Sequence, residues 1–269
     1  MKSLLFKCVS FFIVAFPCWG NELYVAQIGD GFTATITQDG TNNEIGGITD
    51  TPITGDGVTI TLTQQGDYMD VEGHVSGDDN TLTTYQGGSA DNSFIRGSVV
   101  GSNNTVDLRQ GKKIDGSIDW NDSGNHEQYI TITGDSNDVI TSQVNSDGAS
   151  SGHHMAHIIT GDSNTLSHLQ YADKKKQGFV EITGDDNTVT LEQRNSANHF
   201  ADILLTGDDH TVTSVQRGGT GSHNLELDLT NAGGEYTVTT TQNSSTAQTY
   251  SLTGMCTNTA GCGVTVTQY

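Results

Sequence analysis

One spacing constrains this chain more than any other feature: a glycine followed nine residues later by a glutamine. It recurs at Gly29/Gln38, Gly55/Gln64, Gly77/Gln86, Gly101/Gln110, Gly134/Gln143, Gly161/Gln170, Gly184/Gln193, Gly207/Gln216 and Gly233/Gln242. A tenth, interrupted copy runs from Gly254 to Gln268. Successive glycines lie between 21 residues (Gly233 to Gly254) and 33 residues (Gly101 to Gly134) apart. A period of that length signals a solenoid or an array.

Residues 181–193 are the clearest copy. Ile182 precedes a Gly-Asp-x-Asn turn, and Val189, Leu191 and Gln193 alternate after it with Thr188, Thr190 and Glu192. Side chains alternate across a strand, so this pattern predicts two half-buried strands around a turn. The same pairs recur as Ile132/Val139, Ile159/Leu166 and Leu205/Val212. A single copy offers too few inward side chains to make a core, whereas stacked copies make every inward column continuous. The prediction is an all-β chain: a β-solenoid (β-helix-like) of about ten stacked two-strand repeats over residues 21–269. With rungs about 4.8 Å apart, it would form a rod about 45 Å long. The connection over 111–128, with Lys112, Lys113 and Trp120, is the least repetitive part and is expected to bulge outward.

Stacking would align Gln38, Gln64, Gln86, Gln110, Gln143, Gln170, Gln193, Gln216, Gln242 and Gln268 in one column. A second column would hold Asn80, Asn104, Asn137, Asn164 and Asn187. Stacked amides can hydrogen-bond along a column, as in cross-β ladders.

Residues 1–20 fall outside the repeat. Lys2 and Lys7 flank a short apolar run, and Cys18-Trp19-Gly20 offers small residues for a cut. This reads as a secretory signal peptide, too short to span a bilayer; Pro17 argues against lipidation at Cys18. Removing Lys2 and Lys7 leaves 9 basic against 32 acidic residues, a net charge of −23. Such a surface disfavours nucleic acid and anionic lipid as partners. Cys256 and Cys262 remain, and in an exported chain a disulfide is expected of them, with a two-cysteine metal site as the alternative. A loop so short contributes about 2–2.5 kcal/mol in the chain-entropy model.

Gly77-Asn80-Leu82-Gln86, Gly101-Asn104-Val106-Gln110, Gly134-Asn137-Val139-Gln143 and Gly184-Asn187-Val189-Gln193 resemble the curlin repeat of bacterial curli amyloid subunits. The run Gln27-Ile28-Gly29 is similar to the opening of such a repeat. The resemblance implies a secreted, self-polymerising subunit of adhesive biofilm fibres that reaches the cell surface by way of the periplasm. It implies curli-type export and nucleation proteins as partners, besides other copies of the chain and matrix glycans or surfaces.

Other candidate chemistry is sparse. Asp30, Asp56, Asp78, Asp135, Asp162, Asp185 and Asp208 follow the repeat glycine and would stack as like charges. Each neighbouring pair repels by about 1 kcal/mol at 4.8 Å in water, which acid or salt should relieve. Solvation of the turn is the simpler expectation, calcium bridging the alternative. His153, His154 and His157 are candidate transition-metal ligands in an irregular arc, and His168 falls at an inward position. Lys174, Lys175 and Lys176 read as a solvated corner. Outward threonines such as Thr59, Thr61, Thr63, Thr188 and Thr190 resemble the ice-binding face of solenoid antifreeze proteins, which leaves a monomeric ice- or glycan-binding adhesin as the rival reading. No nucleophile elbow, phosphate loop or catalytic dyad is present in the sequence, so neither an enzyme nor a bound cofactor is expected.

Overall fold

The computed structural model describes residues 33–39, 55–65, 70–71, 73–87, 93–117, 125–144, 152–172, 174–231, 234–256 and 260–269. Residues 1–20, expected to be a signal peptide, and Gln27, Gly29, Asp30, Trp120, Gly233 and the side chain of Gln38 lie outside the described residues.

Among the described residues every regular element is a strand. In chain order these are β1 (Thr33–Asp39), β2 (Thr59–Gln65), β3 (Asp70–Val71), β4 (Thr81–Gln86), β5 (Phe94–Ile95) and β6 (Thr105–Gln110). They continue with β7 (Asp138–Val144), β8 (Thr165–Tyr171), β9 (Lys176–Gln177), β10 (Thr188–Gln193), β11 (His199–Phe200) and β12 (Thr211–Arg217). The last are β13 (His223–Glu226), β14 (Thr230–Asn231), β15 (Tyr236–Asn243), β16 (Gln248–Ser251), β17 (Met255–Cys256) and β18 (Cys262–Gln268).

The chain coils into a β-solenoid. Its main face is a 10-stranded parallel sheet in the order β1-β2-β4-β6-β7-β8-β10-β12-β15-β18, one strand per repeat. The second face is less regular: β9, β11, β13 and β16 form one small sheet, with β3 beside β5 and β14 beside β17. Complete two-sided coils are therefore nearer seven than ten. Parallel strands need long crossovers, and here the rest of each coil supplies them.

The two-strand repeat needs one correction. In the copies at Gly134, Gly161, Gly184 and Gly207 the arm just before the turn is not a ladder strand, because its residues leave the β region: Thr133, Thr160, Thr183 and Thr206 have φ of 142, 141, 97 and 88°; nearer the carboxyl-terminal end β14 and β17 do pair there. The alternation of burial persists all the same. Ala201, Ile203 and Leu205 are fully buried, as are Val180 and Ile182, and they face Val189, Leu191 and Val212 across the core. Each such side chain contributes about 1.5–3 kcal/mol by leaving water.

The turn itself explains the glycine. A Cβ on Gly184 would sit 2.2 Å from the carbonyl oxygen of Gly207, and one on Gly134 2.3 Å from that of Gly161. Two residues later the chain is left-handed, with φ near 60° at Asp79, Asn103, Ser136, Ser163, Asp186 and Asp209 (54, 58, 59, 57, 56 and 60°). Asn, Asp and Gly tolerate that conformation best. The repeat glycine is thus a close-approach residue between coils, and the next-but-one residue makes the bend. Gly184→Ala should lower stability by about 3 kcal/mol, whereas Gly219→Ala, where an added Cβ meets nothing within 4 Å, should change it little; chemical denaturation of both variants checks this.

Candidate functional site

The polar interior is organised as ladders. The ten glutamines occupy one register column of the main sheet, Gln38 opposite Gln64 at one end and Gln242 opposite Gln268 at the other. From Gln64 onward, each Nε2 donates to the Oε1 of the next glutamine, at 2.8–3.2 Å. The second Nε2 proton crosses the core to a main-chain carbonyl of the other face. Gln86 reaches Asp70, Gln110 reaches Phe94, Gln170 reaches His154, Gln193 reaches Gln177 and Gln216 reaches Phe200, all at 2.7–3.0 Å. One side chain therefore bonds coil to coil and face to face at once.

At the turn, Asn80, Asn104, Asn137, Asn164 and Asn187 make the second ladder. The Oδ1 of Asn80, Asn104, Asn137 and Asn164 takes both the main-chain N–H (2.9–3.0 Å) and the Nδ2 (3.0–3.1 Å) of the asparagine in the next coil. His210 extends the column, its N–H donating to Asn187, and Tyr236 follows, its N–H donating to Nδ1 of His210. The aspartate column is exposed and also bonded. One carboxylate oxygen of Asp135, Asp162, Asp185 and Asp208 accepts the N–H of the residue in the preceding coil, at 2.6–2.9 Å. These charge-assisted bonds offset part of the like-charge repulsion. Among the described residues no group of three or more His, Cys, Asp or Glu is placed to hold a metal ion.

A third ladder escapes the sequence reading. At one corner of the second face, Ser93, His126, His153, Lys176, His199 and His223 stack as neighbours and are all buried. The N–H of His153 donates to Nδ1 of His126, that of Lys176 to Nδ1 of His153, and that of His223 to Nδ1 of His199. An Nδ1 that accepts carries no proton, so Nε2 donates: His153 to the carbonyl of Val144 and His199 to that of Arg194. Each such imidazole does what an asparagine does in the turn, one acceptor and one donor, in its neutral form. The signal was available: Ser93, His126, His153, Lys176 and His199 each stand eight residues before a repeat glycine.

Two expectations fail here. Lys176 is not part of a solvated corner. Its Nζ is buried and donates to the carbonyls of Lys174 and Ala197, while Lys174 and Lys175 stay exposed. The three histidines do not form an irregular arc either. His153 belongs to the ladder, His154 points outward beside Glu127 (3.5 Å), and His157 lies in the core edge-on to His168, ring centres 5.2 Å apart. Neither ring nitrogen of His157 has a hydrogen-bond partner among the described residues. The His168 ring fills the space above Gly178, where a Cβ would come within 2.1 Å of it.

Burial drives these rings towards the neutral form. It lowers His199 to about 4 and His157 to about 3, and holds His153 and His168 well below the usual imidazole range. The charge of Lys176 adds to the effect on His153. On the outer face, threonines align at Thr59, Thr81, Thr105, Thr165, Thr188, Thr211 and Thr237, interrupted only by Asp138. The neighbouring outward columns are broken by the Arg109–Asp107 pair and by Glu192, which Arg217 and Arg194 both bind. Cys256 and Cys262 are joined by a disulfide.

Gln170→Ala would leave Nε2 of Gln143 without its acceptor and Oε1 of Gln193 without its donor. It should cost about 1–3 kcal/mol, well above the effect of the outward Thr190→Ala, as measured by denaturant titration. For pH, the sign follows from the neutral rings. The unfolded chain takes up protons near 6.5 while the folded chain does so only towards 4 and 3, so this stability is whole above about 6.5 and is lost on acidification. His157 alone should lose about 2 kcal/mol between pH 6.5 and 5. Tm should fall by on the order of 10 °C from pH 7.5 to 5, and His168→Leu, apolar and of similar volume, should raise Tm and shrink that fall. A Tm that rises on acidification would show that relief of the turn carboxylates outweighs the histidines.

Neither a family model, nor a characterised protein, nor a solved structure matches this chain, so the solenoid and its three ladders carry the functional reading by themselves.

Proposed function

We propose that the chain is a secreted structural subunit that stacks end to end into extracellular fibres of an adhesive matrix. The observation that carries the reading is the edge strand β18. Among the described residues it pairs on one side only, with β15, and its inward side chains, including Val264 and Val266, are only half-buried. Its register partner sequence is already present at the other end of the sheet: β1 (Thr33–Asp39) carries the same alternation and the same glutamine. An edge strand of this kind is a template for another chain, and a second copy would bury both half-covered rungs. The many Asp residues are accounted for by turn bonding, which leaves them no acid–base role in this reading. The curlin resemblance supports export by way of the periplasm and dedicated export and nucleation partners.

The purified chain lacking residues 1–20, followed by electron microscopy and Thioflavin-T fluorescence, should convert from monomer to fibres with a cross-β spacing of about 4.7 Å. A chain that stays monomeric for days at high concentration on both sides of neutrality would sink the proposal. Inhibition of ice growth by that monomer would instead favour the aligned threonine column as an ice-binding surface.

A further inference from the structure

Residues 111–117 fold back over the outward side of the main sheet. Two anchors hold that loop down. The Nη1 of Arg109 donates to the carbonyls of Lys113 and Ile114, at 2.9 and 2.6 Å, and Oγ of Ser142 donates to that of Lys112 at 2.7 Å. The loop closes on itself through Lys113 and Ser117, with Asp115 accepting from the N–H and Oγ of Ser117. Between this loop and the far ends of β8 and β10 lies a cleft of about 500 Å³, within the size range of small-molecule sites.

The cleft has an apolar floor and cationic walls. Val144 and Leu169 form the floor, Ile114 one side, and the Tyr171 ring the other, with the Arg194 guanidinium 5.2 Å from that ring's centre. Lys113 stands on the loop wall and Arg194 opposite it. Among the described residues one acidic group lines the site and a second pairs with its arginine. Glu192 is shared between Arg194 (2.8 Å) and Arg217, so two guanidiniums meet one carboxylate. Asp115 lies on the rim, and its hydrogen bonds to Ser117 hold it below the usual carboxylate range. Among the described residues the charge beside the cleft is still positive, on a chain whose formal charge is −21.

We propose that this cleft binds a small ring-bearing carboxylate, its ring over Leu169 and against Tyr171 and its carboxylate between Lys113 and Arg194. A planar guanidinium suits a carboxylate, and a ring face suits the apolar floor and the tyrosine. A uronic sugar unit and an aromatic acid share that chemistry. The site lies on the flank of the sheet, away from β1 and β18, so it stands independently of fibre formation.

Saturation-transfer NMR on the monomeric chain lacking residues 1–20, with glucuronate, benzoate and glucose as probes, tests it. At least one acid should bind, and binding should weaken about ten-fold in Arg194→Gln and be lost in Tyr171→Ala, with Tm checked for each variant. Should Arg194→Gln fail to fold, Lys113→Gln on the loop should weaken binding in the same way. Glucuronate alone identifies a uronic sugar, benzoate alone an aromatic acid, and both a site that reads only ring and carboxylate. Glucose binding as well as glucuronate, binding by neither acid, or affinity unchanged in the charge variants would overturn the proposal.

Discussion

Everything in this molecule depends on register between coils. A buried amide costs free energy unless both its protons and its oxygen are bonded, and the glutamine column meets that condition only if every rung sits directly over the last. Slip one coil by one residue and Gln170 would turn to the outer face while its neighbours lost their partners. The apolar columns add bulk stabilisation but would tolerate such exchanges better, since Val, Leu and Ile replace one another freely at those positions. The amides therefore fix the alignment, and the hydrophobic core fills what they align.

The histidine corner obeys the same rule with a different side chain. An imidazole has one acceptor and one donor when neutral, enough to bond to the coil on one side and to a carbonyl within its own coil. The substitution carries a chemical consequence that an asparagine would not: the acceptor is a base. Protonation turns Nδ1 from acceptor to donor, so it would face a main-chain N–H with a proton of its own. Lys176, placed between His153 and His199, opposes that protonation by its own charge.

The parts of the fold legible in the sequence are those where spacing within a rung is constant. Gly184 to Gln193 is turn plus strand with no room for insertion, so the same interval recurs and exposes both the glutamine and the asparagine columns. The corner after each glutamine varies in length: His199 follows Gln193 by six residues, whereas His126 follows Gln110 by sixteen. Counting forward from the glutamines therefore hides the third ladder, while counting back from the next glycine shows it. Lys176 was misplaced because a triple lysine reads as solvent-facing, although its outer two members do the facing. The arms before the turns at Gly134, Gly161, Gly184 and Gly207 keep a strand-like alternation of burial without strand geometry, a distinction that hydrophobic pattern cannot make. The cleft under residues 111–117 depends on Arg109 and Ser142 reaching a loop that sequence marks only as non-repetitive.

The ladders also have direction. Each glutamine from Gln64 to Gln242 donates through Nε2 to the coil ahead, towards the carboxyl-terminal end, whereas the asparagines donate both ways: Asn164 and Asn187 each give one Nδ2 proton to the asparagine behind and the other to a glycine carbonyl ahead. Amide dipoles that line up head to tail add together, as they do along a helix. Columns of opposite sense subtract instead. A rod built with one sense alone would accumulate a potential difference between its ends with every coil added. Here the glutamine stack has a single sense while the asparagine stack donates both ways, so the glutamines give the rod unlike ends, and the difference grows with every coil added.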